Sequence, residues 1–247
     1  REHLELKMAE GGIAGVVVHQ PNRFGIIEDY SGYADICHNH KALFIMNSVP
    51  ADLALLKTPG ELGADIAVGD GQSLGLPMSF GGPYVGYLCC TEKLMRKMPG
   101  RIVGKTLDKN GQRSFVLTLQ AREQHIRRQK ATSNICSNES LMALFATVYM
   151  SVMGKDGVKE AAQLSYDGAH YMCEKLFKTG RFTMAFDKPF FNEFCVKYNG
   201  DVDVLQRHLL DNGILGGIKI AEDTLMFAVT EKRTKEEIDL LVALTNI

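Results

Sequence analysis

The sequence has no run of 18 or more apolar residues, so it offers no stretch able to cross a membrane as a helix. It has no charged-then-apolar leader, which sets aside a secretory signal. It has almost no net charge: 28 Lys and Arg against 29 Asp and Glu leave −1. A generic nucleic-acid binder carries a basic excess, so that class is set aside as well. The six cysteines, at 37, 89, 90, 136, 173 and 195, lack paired CxxC spacing, which argues against a zinc ribbon. Without a leader they are expected to be free thiols in a reducing cytoplasm. Internal repeats and low-complexity stretches are missing too. The chain starts with Arg1 rather than Met, and its first segment reads like the middle of a domain. The expectation is that an N-terminal part precedes it.

What is present is ample apolar material, 45% of 247 residues, enough for one large domain or two small ones. Residues 2–11 suit a short helix stopped by Gly11-Gly12. IAGVVVH (13–19), ALFIM (42–46), ADIAV (64–68) and YVGYLCC (84–90) read as strands buried on both faces. Helices are expected at 28–38, at 51–57 for a turn or two, and at 91–97. Strands alternating with helices imply a mostly parallel sheet covered on both sides. Ligands of such sheets sit outside the carboxyl ends of the strands, so the loops 20–25, 47–50 and 69–83 are expected to face one site.

From residue 138 the texture changes. Leu141, Leu144, Phe145, Val148 and Val152 keep helical spacing, with Ser137 or Asn138 as cap and Gly154 as stop. A second long helix is expected over 156–178. Strands follow at 182–186, 193–198 and 225–230, a helix at 202–212, and a last helix opened by the capping box Thr234 and Glu237. The organisation is therefore read as an α/β sheet domain over 1–154 and a linking helix with an α+β module over 155–247.

Three segments carry chemical information. GDGQSLGLPMSFGGP (69–83) follows a strand and is glycine-rich, so it could cradle phosphate, but it lacks the endings of nucleotide-binding loops, and composition alone favours a glycine-rich turn with a Gly-Gly-Pro bend. Residues 122–130 hold Arg122, Arg127, Arg128 and Lys130 against Glu123 alone, followed by Thr132, Ser133 and Asn134. Such a patch suits a phosphate, a carboxylate or an acidic surface, and equally a solvated helix face. No aromatic residue interleaves with it to stack RNA bases. In QPNRFGIIED (20–29), Pro21 and Gly25 fix a turn. CHNH (37–40) is too cramped for a metal site and reads as a helix end whose histidines complement the dipole. His125 and His170 read as helix-surface residues, and the methionines as core filler.

Taken together, VVVHQPNRFGIIED, GADIAVGDGQSLGLPMSFGGPYVGY and MPGRIVGKTLDKNGQRSFVLTLQAREQHIRRQKATSNICSNESLMAL closely resemble subunit 1 of glycine cleavage P-proteins, from about residue 12 onward. The resemblance implies the fold-type-I, pyridoxal-phosphate-dependent transferase-like architecture, with the large domain incomplete at its N-terminus. It also implies a homologous second subunit that carries pyridoxal 5'-phosphate on a lysine, in an HK element ahead of a GGGGPG run. Here that position falls on Gln72 or Ser73, and the acidic position facing the pyridine nitrogen falls near Asn47. An amide or hydroxyl forms no imine, and neutral Asn holds no pyridinium by charge. No catalytic, cofactor-binding or metal residue is therefore expected in this chain.

The implied activity is that of the assembled enzyme. It decarboxylates glycine and passes the aminomethyl group to the lipoyl arm of the H-protein, with the second P-protein subunit holding the cofactor. Arg127, Arg128, Lys130, Thr132, Ser133 and Asn134 are the residues expected to meet the partner's site or the lipoyl carrier. The alternatives are a non-catalytic scaffold subunit, or an independent pyridoxal-phosphate enzyme using an unusual lysine such as Lys105 or Lys130.

Overall fold

The computed structural model describes residues 1–100, 102–119, 124–131 and 139–247. Four strands form the first sheet: β1 (Gly15–Gln20), β2 (Leu43–Ser48), β3 (Ile66–Asp70) and β4 (Gly86–Cys90), in that order. β1, β2 and β3 run parallel, and β4 is antiparallel to β3. The register sets His19 beside Asn47 and Asn47 beside Val68.

One face of this sheet is covered by α1 (Glu2–Ala9) and α2 (Tyr33–Asn39). Phe44 and Met46 of β2 are fully buried there with Met8, Cys37 and Tyr30. His38 donates to or accepts from Asp65 across 2.8 Å, and the same carboxylate oxygen accepts the Phe44 N–H at 2.9 Å, so α2 is tied to both β2 and β3. His38 therefore serves a side-chain pair rather than the helix dipole. The helix begins at Tyr33 instead of 28 because Asp29 takes the Ser31 N–H in a local turn and Gly32 adopts a left-handed conformation.

The opposite face departs from expectation. Val17 is 65% exposed and Leu88 41%. Cys89 is exposed and Cys90 half-buried, so GYLCC is a strand but not a buried one. The helical turns expected at 51–57 and 91–97 are 3-10 segments, Asp52–Ala54 and Glu92–Lys97. A hairpin absent from the sequence reading follows: β5 (Ile102–Leu107) and β6 (Arg113–Thr118), antiparallel and paired with each other only. The basic segment then forms a single turn, α3 (Gln124–Arg127), and a 3-10 turn at Arg128–Lys130.

The helix α4 (Ser140–Lys178) is interrupted at Gly154, whose φ of 62° and ψ of −173° break the helical path where the stop was expected. The expected caps Ser137 and Asn138 lie outside the described residues. Leu141, Leu144, Phe145 and Val148 do share one face, but it is largely exposed.

Beyond the break, α4 packs on a second four-stranded sheet: β7 (Phe182–Met184), β8 (Glu193–Tyr198), β9 (Ile218–Ala221) and β10 (Thr224–Ala228), in the order β7-β8-β10-β9 and all antiparallel. With α5 (Val202–Asp211) and α6 (Lys235–Leu244) it closes a core in which Phe194, Val196, Leu205, Leu209 and Leu225 are 0% exposed. β9 was not anticipated. The capping box of α6 forms as read: Thr234 Oγ1 accepts from Glu237 N, and Glu237 accepts from Thr234 N at 2.9 Å. His170 is no plain surface residue, since its ring lies between Tyr166 and Phe190 at 3.9 and 4.1 Å.

Candidate functional site

The carboxyl ends of β1, β2 and β3 open into a cleft of about 600 Å³ lined by His19, Asn47, Ser48, Val49, Val68, Gly69 and Asp70. That is where a parallel sheet presents its ligand crevice. Alternation along the strands puts His19, Asn47, Val68 and Asp70 on the open face, because Phe44, Met46 and Ser48 occupy the covered one. The cleft collects His19, residues 47–49 and residues 68–70, but not the loop 20–25.

That loop does something else. The Asn22 carboxamide oxygen accepts the N–H groups of Phe24 and Ile26, and the Gln20 side chain brackets Glu28 through its backbone. The turn so formed lies against β8. Ile27 N donates to Pro189 O, Phe191 N donates to Gly25 O, and the Phe24 ring meets Phe186 at 5.0 Å. Gly25 has φ +76°, and any Cβ there would run into the carbonyl of Glu193. Arg23 is exposed, stacks on Phe24 at 4.9 Å and does not line the cleft.

Two carboxylates meet at the same seam. Asp52 is 6% exposed and accepts no hydrogen bond on its side chain among the described residues. Burial, and then the nearby Glu193, push its pKa up to about 7. Burial raises Glu193 too. Cys195, on the same strand, is pushed up to about 11 by burial and then by Glu193.

The sequence-predicted positions behave unequally. Asn47 lines the cleft. Gln72 does not: its amide N–H donates to Asp70 Oδ1 at 2.6 Å, and its side chain donates to Leu76 O at 2.7 Å, so it stitches the loop to itself. Ser73 Oγ is buried without a hydrogen-bond partner among the described residues. Downstream, Gly75 lies where a Cβ would strike the Tyr149 ring of α4, which gives the glycine-rich stretch a packing role. Arg127, Arg128 and Lys130 are exposed, do not line the cleft, and form no ion pair among the described residues. Thr132, Ser133 and Asn134 lie outside the described residues.

Pyridoxal phosphate needs a lysine for its imine and a cation for its phosphate. Among the described residues no lysine lines the cleft to form the imine, and no arginine lines it to take the phosphate. Its one carboxylate, Asp70, would repel that phosphate. The residues present do not fit the group. Among the described residues no cluster of three or more potential metal ligands is gathered, and no helix is long and apolar enough to cross a membrane.

Comparison with known proteins identifies the family. The profile of the glycine cleavage system P-protein matches residues 2–245. This chain belongs to the glycine cleavage system P-protein family. It is 52% identical to the probable glycine dehydrogenase (decarboxylating) subunit 1 of Brevibacillus brevis, over 96% of this chain and 54% of that protein. A crystal structure titled glycine decarboxylase (P-protein) of the glycine cleavage system, in inhibitor-bound form, superposes with a TM-score of 0.89 at 42% identity, covering 94% of this chain and 54% of that one. The alanine–glyoxylate aminotransferase from Nostoc sp. superposes at 0.64 with 15% identity, over 99% of this chain and 64% of that one. The P-protein chain thus has the α/β fold of the pyridoxal-phosphate-dependent, fold-type-I enzymes, and it spans about half the length of the curated relatives it matches.

Proposed function

We propose that this chain is part of subunit 1 of a glycine-decarboxylating P-protein and completes an active site whose pyridoxal phosphate is held by a homologous second subunit. The observation that carries the reading is the pairing of family membership with a cleft that offers no lysine. The assembled enzyme then decarboxylates glycine and transfers the aminomethyl group to the lipoyl arm of the H-protein. Within this reading the sheet region 1–154 and the module 155–247 are separate domains. The backbone break at Gly154 and the two distinct cores support that division. A cytoplasmic location suits the free thiols of Cys37, Cys89, Cys90, Cys173 and Cys195.

The chain's own contribution to turnover is assigned to the basic segment: Arg127, Arg128 and Lys130 with Thr132, Ser133 and Asn134. The support is exposed cationic charge on Arg127, Arg128 and Lys130 with no ion-pair partner among the described residues, which suits a carboxylate or an acidic surface of a neighbouring protein. Lys105 and Lys130, the candidates for an independent enzyme, do not line the cleft.

The test is co-expression with the second subunit and an assay of glycine-dependent carbon dioxide exchange. Exchange should require both chains. The double variant Arg127→Ala with Arg128→Ala should still assemble while exchange falls at least tenfold. Unchanged exchange would make the chain a scaffold. Borohydride fixation of added pyridoxal phosphate onto a lysine of this chain alone would establish the independent enzyme instead.

A further inference from the structure

Charge is spread unevenly along the chain. Residues 92–130 hold 11 Lys and Arg against 3 Asp and Glu, whereas the whole chain holds 28 against 29, so the remainder is acidic. The cationic stretch contains the β5–β6 hairpin, whose register pairs Val103 with Leu117, Lys105 with Phe115 and Leu107 with Arg113. Opposed residues of an antiparallel pair share a face, and alternate residues along each strand return to it. These six side chains therefore form one face, and all six are exposed. The opposite face, with Ile102 and Val116, is half-buried at Ile102, Gly104, Ser114 and Thr118. On the exposed face the Arg113 guanidinium stands over the Phe115 ring at 5.9 Å, so cation and ring are presented together. At the tip, Asp108 is turned to its own loop. Its Oδ1 accepts the N–H groups of Asn110 at 2.8 Å and Gln112 at 2.9 Å, and Lys109 beside it is exposed.

We infer that this face of the hairpin is the docking surface for an acidic protein, the carrier of the lipoyl arm; the identity of the occupant rests on the function proposed above. Cations alone would suit any polyanion. Val103, Leu107 and Leu117 meet nothing along a phosphate backbone, whereas apolar side chains mixed with an arginine and an aromatic ring are the make-up of a protein–protein contact. Charge then selects the partner. An acidic protein is drawn to the hairpin and repelled by the acidic remainder of the chain, which fixes where it lands. The size of the face selects the kind of contact. A permanent subunit interface is broad and mainly apolar, while six residues mixing charge with a small apolar centre suit a partner that binds quickly and leaves after each turnover. A carrier that delivers a reacting group on a flexible arm is such a partner. The basic segment follows β6 in the chain, so a protein held on the hairpin is held beside the residues assigned to turnover.

The experiment is glycine-dependent carbon dioxide exchange by the two-subunit enzyme at increasing concentrations of lipoylated H-protein. Lys109→Glu with Arg113→Glu should raise the KM for H-protein at least tenfold and leave kcat within twofold, since neither side chain lines the cleft. Phe115→Ser removes the ring with the charges kept, and should raise that KM at least threefold. Lys188→Glu with Lys232→Glu makes the same charge change at exposed positions of the C-terminal module and should leave the KM unchanged. All three are at exposed positions, so circular dichroism should match the wild type. Unchanged KM in both hairpin variants, an equal rise in the Lys188 and Lys232 variant, or a fall in kcat alone would each overturn the inference. Loss of binding to a single-stranded RNA at unchanged KM would mark a nucleic-acid face and overturn it as well. Wild-type exchange that ignores H-protein would instead overturn the function proposed above, and this occupant with it.

Discussion

Phe194 and Val17 both sit on strands of four-stranded sheets, yet Phe194 is 0% exposed and Val17 is 65% exposed. The C-terminal sheet is covered by α4 and α6 with α5 beside them, and its core closes on itself. The N-terminal sheet is closed on the α1 and α2 side only, and its other face carries Val17 and Leu88 into solvent. The same strand-forming chemistry thus gives one finished core and one half-finished core. Stability in this chain should be concentrated after Gly154, and surfaces available for partners or ligands before it.

Phe194→Ala sharpens that contrast most. Emptying a filled site among Phe190, Phe227 and Val196 should cost about 4 kcal/mol. Val17→Ala removes a side chain that buries little, and should stay within about 0.5 kcal/mol. Urea unfolding of both variants checks the pair. Equal losses would mean that the open face is covered in solution and that the contrast is false.

The seam between the regions responds to pH rather than to packing alone. Asp52 has an ordinary value of 3.8 and is pushed up to about 7 in the folded chain, by burial first and by Glu193 second. The unfolded chain therefore releases this proton at lower pH than the folded one. The group's contribution is most favourable below the unfolded value and is lost as pH rises from about 4 through 7. At about 1.4 kcal/mol per unit, and discounting for relaxation of the seam, the loss should approach 3 kcal/mol. Asp52→Asn, neutral throughout, should abolish this component. Measured by thermal unfolding between pH 5 and pH 8, the wild type should fall relative to the variant. Parallel curves would show that Asp52 is solvated and that the seam is looser than drawn.

What the sequence makes visible follows the same division. Local rules were enough wherever one segment decides its own structure: the strands at 15–20 and 43–48, the break at Gly154 and the capping box. Burial on both faces was misjudged because apolar strands read alike whether or not a second layer covers them. The β5–β6 hairpin, joined through DKNG, was not among the expected elements, because Val103, Phe115, Val116 and Leu117 stay exposed and its strands carry no one-sided apolar alternation. The turn at 20–25 was assigned to the site because it follows a strand, whereas Gly25 fits only against β8, a contact made across the chain. Asn47 was legible as a cleft residue through the family resemblance. His19 and Asp70 were not, because only the register of three strands brings them to one face.

The smallest effect tests the region where sequence and structure agree most closely. Thr234 accepts from Glu237 N, and Glu237 reaches back to Thr234 N, so two amide groups at the start of α6 are satisfied by side chains of the helix's own first turn. α6 buries Ile238 and Val242 against the closed core, so its packing survives loss of the cap. Thr234→Ala should therefore cost about 1 kcal/mol, the usual worth of a cap, without changing the folded structure. Thr234→Ser keeps the acceptor oxygen and should recover most of it. Both are read by urea unfolding beside Phe194→Ala. A loss for Thr234→Ala as large as that of Phe194→Ala would mean that α6 is held by its cap rather than by its buried face, and the C-terminal core would then be less complete than its burial implies.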